Sequence, residues 1–179
     1  MGPESKFFSD ILLRYIILIL VAIPNLWLFY AVFTPLTAYP VYWILNIFYD
    51  VILISGKIIL VDRSIPIELI EACIAGAAYY LLFILNLATR KIKFRTRVKM
   101  ILFSFLAFLV VNVLRIFILS TIAVSGSSFF DITHKFFWYA LSTIFVVAIW
   151  FAEVKAFKIK EIPFYSDLKF LMGKTRLRR

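Results

Sequence analysis

Apolar residues along this chain come in long runs, not in the alternating or three-to-four spacing of water-soluble elements. Residues 11–33 predict a first membrane-spanning helix, with Pro24 as a tolerated kink. Thr34 to Pro40 predicts a short uncharged turn. Residues 41–55 carry Asn46 and Asp50, and such a run rises only about 22 Å as a helix against roughly 30 Å of hydrocarbon. It is expected to lie in the outer interface or to re-enter. From Lys57 the texture changes: Ile58–Val61 and Ile65–Ile70 flank Asp62-Arg63-Ser64 and predict a β-hairpin outside the hydrocarbon, its second strand held to an edge by Pro66. Three more apolar helices are expected at about 73–87, 100–120 and 134–152. The expected architecture is an all-α polytopic membrane protein of four to five transmembrane helices. An outer interfacial helix and a small β-hairpin ahead of the single cysteine complete it. Residues 1–154 form an integral membrane domain and 155–179 a basic tail.

Composition agrees. Of 179 residues, 64% are apolar and 17% charged, so the bilayer is the expected solvent. The first apolar run has no small-x-small cleavage pattern after it and reads as a retained helix. The net charge of +10 does not point to nucleic acid, because fourteen of the twenty Lys and Arg sit in two clusters flanking apolar runs, at 90–99 and 155–179. Both clusters are expected in the cytoplasm. The hairpin and the loop near 123–133 then face outside, and Lys6 and Arg14 favour an inside N-terminus. Four crossings are expected, or five with the N-terminus outside.

Three singular residues carry candidate chemistry: the only cysteine, Cys73; the only histidine, His134; and Arg115, a cation deep within an apolar run. Counted from the basic anchors at about 1.5 Å per residue, they rise roughly 25, 31 and 24 Å and so share the outer half of the bilayer. Each alone has an ordinary reading: a buried cysteine as a small hydrophobe, a histidine as a helix cap, an arginine that snorkels. Arg115, however, has Ile116-Phe117-Ile118-Leu119 beyond it, and charge at such depth points to function. A Cys–His pair is the unit of nucleophilic acyl transfer, and an arginine can hold an oxyanion. A helix N-terminus at Cys73 and the guanidinium would favour thiolate, whereas Glu68 and Glu71 oppose it unless they point elsewhere. Asn112 shares a face with Arg115 and suits either orientation of Arg115 or of a substrate carbonyl, or interhelical hydrogen bonding. Asp131 or Thr133 is placed to cap the last helix and orient His134. No metal or other cofactor is expected, since one Cys and one His do not make an ordinary zinc site.

These residues, in this order, resemble the exosortases and archaeosortases, polytopic membrane cysteine enzymes that process C-terminal sorting signals of surface proteins. The resemblance covers about residues 55–150: a polar hairpin leading into Glu71-Ala72-Cys73, a basic loop, Asn112-x-x-Arg115, and His134 opening the last helix. The glycine after the cysteine is displaced by one, in Cys73-Ile74-Ala75-Gly76, and bulky Lys135-Phe136-Phe137-Trp138 follows the histidine. The resemblance implies Cys73 as nucleophile, Arg115 as oxyanion or substrate stabiliser and His134 as acid/base. It also implies a C-terminal transmembrane sorting signal as partner and a lipid amine or water as acceptor. Other readings left open are a non-enzymatic transporter or assembly subunit, and lipid acyl transfer through Cys73.

Overall fold

The computed structural model describes residues 3–23, 26–89, 92–127, 130–137 and 142–159, with the side chains of 3–10 and 131 outside that description. Helices dominate: α1 (Pro3–Ala22), α2 (Trp27–Leu45), α3 (Glu71–Ile74), α4 (Gly76–Ala88), α5 (Phe94–Val124), α6 (Phe130–Phe136) and α7 (Ser142–Ala156). Between α2 and α3 lies one antiparallel sheet of β1 (Val51–Ile54), β2 (Ile58–Val61) and β3 (Ile65–Glu68), in the order β1-β2-β3. Three stretches are long and apolar enough to cross a membrane: Trp27–Leu45, Glu71–Ala88 and Phe94–Val124.

Helix α5 is the axis, packing against α2, α4, α6 and α7. Its 31 residues would extend about 46 Å, well beyond the hydrocarbon thickness. Leu102, Leu106, Val110, Leu114 and Ile118 point outward, one turn apart. The opposite face buries Ser104, Phe108, Asn112 and Arg115. Polar groups inside and leucines outside invert the soluble pattern, as a helix in lipid requires. Where α2, α4 and α5 meet, Phe33 stacks on Tyr79 at 3.5 Å between ring centroids, and the edges of Phe105 and Phe108 close on Tyr79.

The first span departs from expectation. The chain breaks between α1 and α2, with Leu26 in the left-handed region (φ 59°), and α2 runs through Pro35 and Pro40 where a turn was expected. Each proline costs a backbone hydrogen bond, yet ending the helix in apolar surroundings would strand more of them. The outer interfacial helix expected at 41–55 is absent: α2 ends at Leu45, and Val51–Ile54 forms β1, paired to β2 with Ile54 opposite Ile58. Ser55 and Gly56 both have positive φ, in the tight turn closed by Lys57 N–H donating to the Ile54 carbonyl at 3.3 Å. The hairpin expected at 57–70 is present as β2 and β3, with β3 and its Pro66 on an edge. Within the helix expected at 134–152 the described residues form α6 and α7, and residues 138–141 lie outside the described residues. Residues 160–179, most of the basic tail, lie outside the described residues, as do Arg90 and Lys91.

Candidate functional site at Cys73

The helix expected from Cys73 onward is broken at Ala75, whose backbone is left-handed (φ 58°, ψ 43°). Cys73 therefore sits in a one-turn helix, α3, offset from α4. The dipole support expected for it shrinks to that of a single turn. Two side chains from α5 hold the break. Asn112 donates from Nδ2 to the Cys73 carbonyl at 3.0 Å and makes a longer contact to the Ile74 carbonyl at 3.4 Å. Arg115 donates from Nη2 to the same Cys73 carbonyl at 3.1 Å and to that of Ala72 at 3.3 Å. Its Nη1 donates to Ser142 Oγ at 2.7 Å, and Ser142 in turn donates to the Phe137 carbonyl. The carbonyls left over where α3 stops thus find donors.

Arg115 is 94% buried, and its Nε–H has no hydrogen-bond partner. No carboxylate pairs with it among the described residues. One donor of a buried, uncompensated cation is therefore free.

Cys73, Arg115 and His134 line one cavity of about 290 Å³. Its walls are the strand and loop 65–70, the Ile116–Leu119–Ala123 face of α5, and Phe130 and Phe137. His134 reaches it from α6, its ring stacked on Phe130 at 5.5 Å. Imidazole and thiol share this space without a hydrogen bond between them. The mostly apolar lining favours an apolar or backbone-rich occupant.

The supporting residues fare differently. Glu71 lines a separate groove with Trp27, Tyr30 and Lys57, on another side of α3 from the cavity. Asn112 holds the Cys73 carbonyl, which Arg115 also reaches, the interhelical alternative. Because α6 starts at Phe130, Thr133 and Asp131 lie within the helix, not at its cap, and the Asp131 side chain is outside the described residues. Asp50 forms an exposed ion pair with Arg63 at 3.2 Å.

Sequence reading missed Ser142, which carries no signal until helix packing brings it to Arg115. It also missed a second polar group between α4, α5 and α7. Glu153 is fully buried and accepts from Asn86 Nδ2 at 3.1 Å, with Ser104 Oγ 3.4 Å from the same nitrogen. Arg97, one of the basic cluster at 90–99, is buried and donates to the carbonyls of Asn86, Leu87 and Thr89, while Arg14 donates to Leu87. Together they close the C-terminus of α4. A glutamate inside an apolar stretch was the available clue. No protein-family model, curated protein or solved structure matches the chain.

Proposed function

We propose that this chain is a membrane-embedded cysteine protease or transpeptidase of the archaeosortase type, acting on the C-terminal region of surface proteins. The observation that supports it is the shared cavity: the sole cysteine, the sole histidine and a buried arginine with one free donor, on three different helices, meet at one apolar hollow. The order Glu71-Ala72-Cys73, Asn112-x-x-Arg115, His134 is the second support.

In this reading the Cys73 thiolate attacks a peptide carbonyl carbon, a C–S bond forms, and the carbonyl electron pair moves onto oxygen. The Arg115 guanidinium stabilises that oxyanion. On collapse the C–N bond breaks, and His134 gives its proton to the leaving amine. An amine, on a lipid in the transpeptidase case, or water then attacks the thioester; His134 takes its proton and the thiolate departs. The basic segment at 90–99 and the tail lie in the cytoplasm and the cavity opens outward, giving a multi-pass protein of the cell membrane with four to five crossings.

The test is a strain or reconstituted system carrying Cys73→Ala. The variant should insert normally yet leave the C-terminal helix of the surface protein uncleaved. Normal processing would reject the reading. The buried Glu153–Asn86–Ser104 group favours one competing idea, a non-enzymatic ion or proton carrier. That idea predicts ion flux in vesicles abolished by Glu153→Gln and indifferent to Cys73→Ala.

A further inference from the structure

The cavity beside Cys73 touches six consecutive residues, Ile65 to Ile70. Successive side chains of a strand leave on opposite faces. A hollow lying over one face would therefore meet alternate residues only, and one that meets all of them runs along the strand's margin. The order β1-β2-β3 leaves β3 with a single partner, and no residue of β2 lines the cavity. The hollow follows the unpaired side of β3.

The register says what that side offers. Leu69 N–H donates to the Lys57 carbonyl at 2.8 Å, and the pairing continues through Ile67 opposite Ile59 and Ile65 opposite Val61. Hydrogen-bonded pairs alternate along an antiparallel ladder, so Ile65, Ile67 and Leu69 turn their peptide groups to β2. Pro66 and Glu68 turn theirs to the cavity. Pro66 has no N–H to leave unpaired there. The free margin thus presents the Pro66 carbonyl, then the Glu68 N–H and carbonyl, the last also contacted by Ile70 N–H at 3.2 Å.

Charge completes the picture. At the inner end stands the charged guanidinium of Arg115, and the only charged side chain of β3 is Glu68. Ile116, Leu119 and Ala123 form an apolar wall opposite. A matching occupant carries alternating N–H and C=O groups, a carbonyl oxygen for Arg115, apolar side chains for α5 and a cation facing Glu68. A polypeptide meets all four demands.

We propose that the substrate is bound as an extended peptide strand added to the open edge of β3, which runs its scissile carbonyl up to Cys73 and Arg115, with a basic side chain opposite Glu68. The proposal rests on Cys73 being the attacking group, and the test separates the two.

Full-length protein in nanodiscs is treated with a hexapeptide of Val, Ala and one Lys ending in a vinyl sulfone, which captures a thiol without turnover. Capture of Cys73 is followed by intact mass, each rate divided by that of N-ethylmaleimide. Single N-methyl groups are walked along the peptide. Strand addition gives a period of two: methylation at amides of one parity slows capture about three- to tenfold, the loss of one hydrogen bond, and at the other parity less than about twofold. The Glu68→Lys protein should reverse the preference between this peptide and its counterpart with Glu in place of Lys. Equal rates at every methyl position overturn the strand site; Pro66 and Glu68 then serve only to keep this edge from pairing with other chains. An unchanged preference in Glu68→Lys overturns the charge contact. Parity-dependent capture without Cys73-dependent cleavage keeps the strand site and rejects the protease. Cys73-dependent cleavage with a flat methyl scan does the reverse.

Discussion

Gly76 begins α4 directly after the left-handed residue, and its lack of a side chain sets how closely α2 approaches. A Cβ built there would stand 2.7 Å from Cε1 of Tyr30, 2.8 Å from Cζ and 3.1 Å from Cδ1. Carbon atoms settle at about 3.5–4.0 Å, so in Gly76→Ala the ring and the helix must part by nearly ~1 Å. Tyr30 is half-buried and packs on the core, so its ring moves only by giving up those contacts. Such overpacking costs about 1–3 kcal/mol. For a chain of this length each kcal/mol lowers the melting temperature by about 2–4 °C. The four tryptophans allow unfolding to be followed by intrinsic fluorescence in detergent. The decisive measurement is the cycle with Tyr30→Ala. If the clash is the cause, removing the ring should cancel most of the Gly76→Ala penalty, with a coupling of at least about 1 kcal/mol. Strictly additive losses would refute the packing argument.

Other expectations follow from the same geometry. Ala75→Gly relieves a left-handed alanine and should raise stability by about 1 kcal/mol, read as a higher melting temperature. Asn112→Ala removes a hydrogen bond between helices and should cost about 0.6–1.7 kcal/mol, measured in the same melt. Glu153→Gln keeps shape and removes a buried acid that has only an amide as hydrogen-bond partner, so its melting temperature should hold or rise, whereas Glu153→Ala leaves a void costing about 2–3 kcal/mol. Under the proposed function, Arg115→Lys should insert but process substrate about a hundredfold more slowly, because an ammonium cannot span Ser142, two carbonyls and an oxyanion together.

The parts of the fold legible in the sequence are those set by local chemistry. Asp62-Arg63-Ser64 marks a turn, Pro66 an edge strand, and the 100–120 run the core of α5. The strand at 51–54 was hidden because Val51-Ile52-Leu53-Ile54 suits a helix or a strand by composition, although the Ser55-Gly56 pair after it was a hairpin signal. Residues 34–40 read as a turn because Pro35 and Pro40 stop helices in water, and apolar surroundings reverse that balance. The break at Ala75 carries no local mark; it depends on Asn112 and Arg115, about forty residues away, supplying donors to the exposed carbonyls. The cluster of Cys73, Arg115 and His134 was legible from depth alone, since all three are unique or isolated in type. Ser142 was not, because serines at helix starts are common. The burial of Arg97 was not legible, because charge count says nothing of direction.

Cys73's own C=O is gripped by both Asn112 and Arg115, so the short helix bearing the thiol is latched to α5, while the swivel at Ala75 lies on the far side of that latch. When the bilayer thins or thickens, α4 can tilt to match it about this swivel without dragging the sulfur off its guanidinium neighbour. The spacing between the two is thereby insulated from lipid composition, and thiol reactivity compared in short-chain and long-chain lipids should be nearly constant.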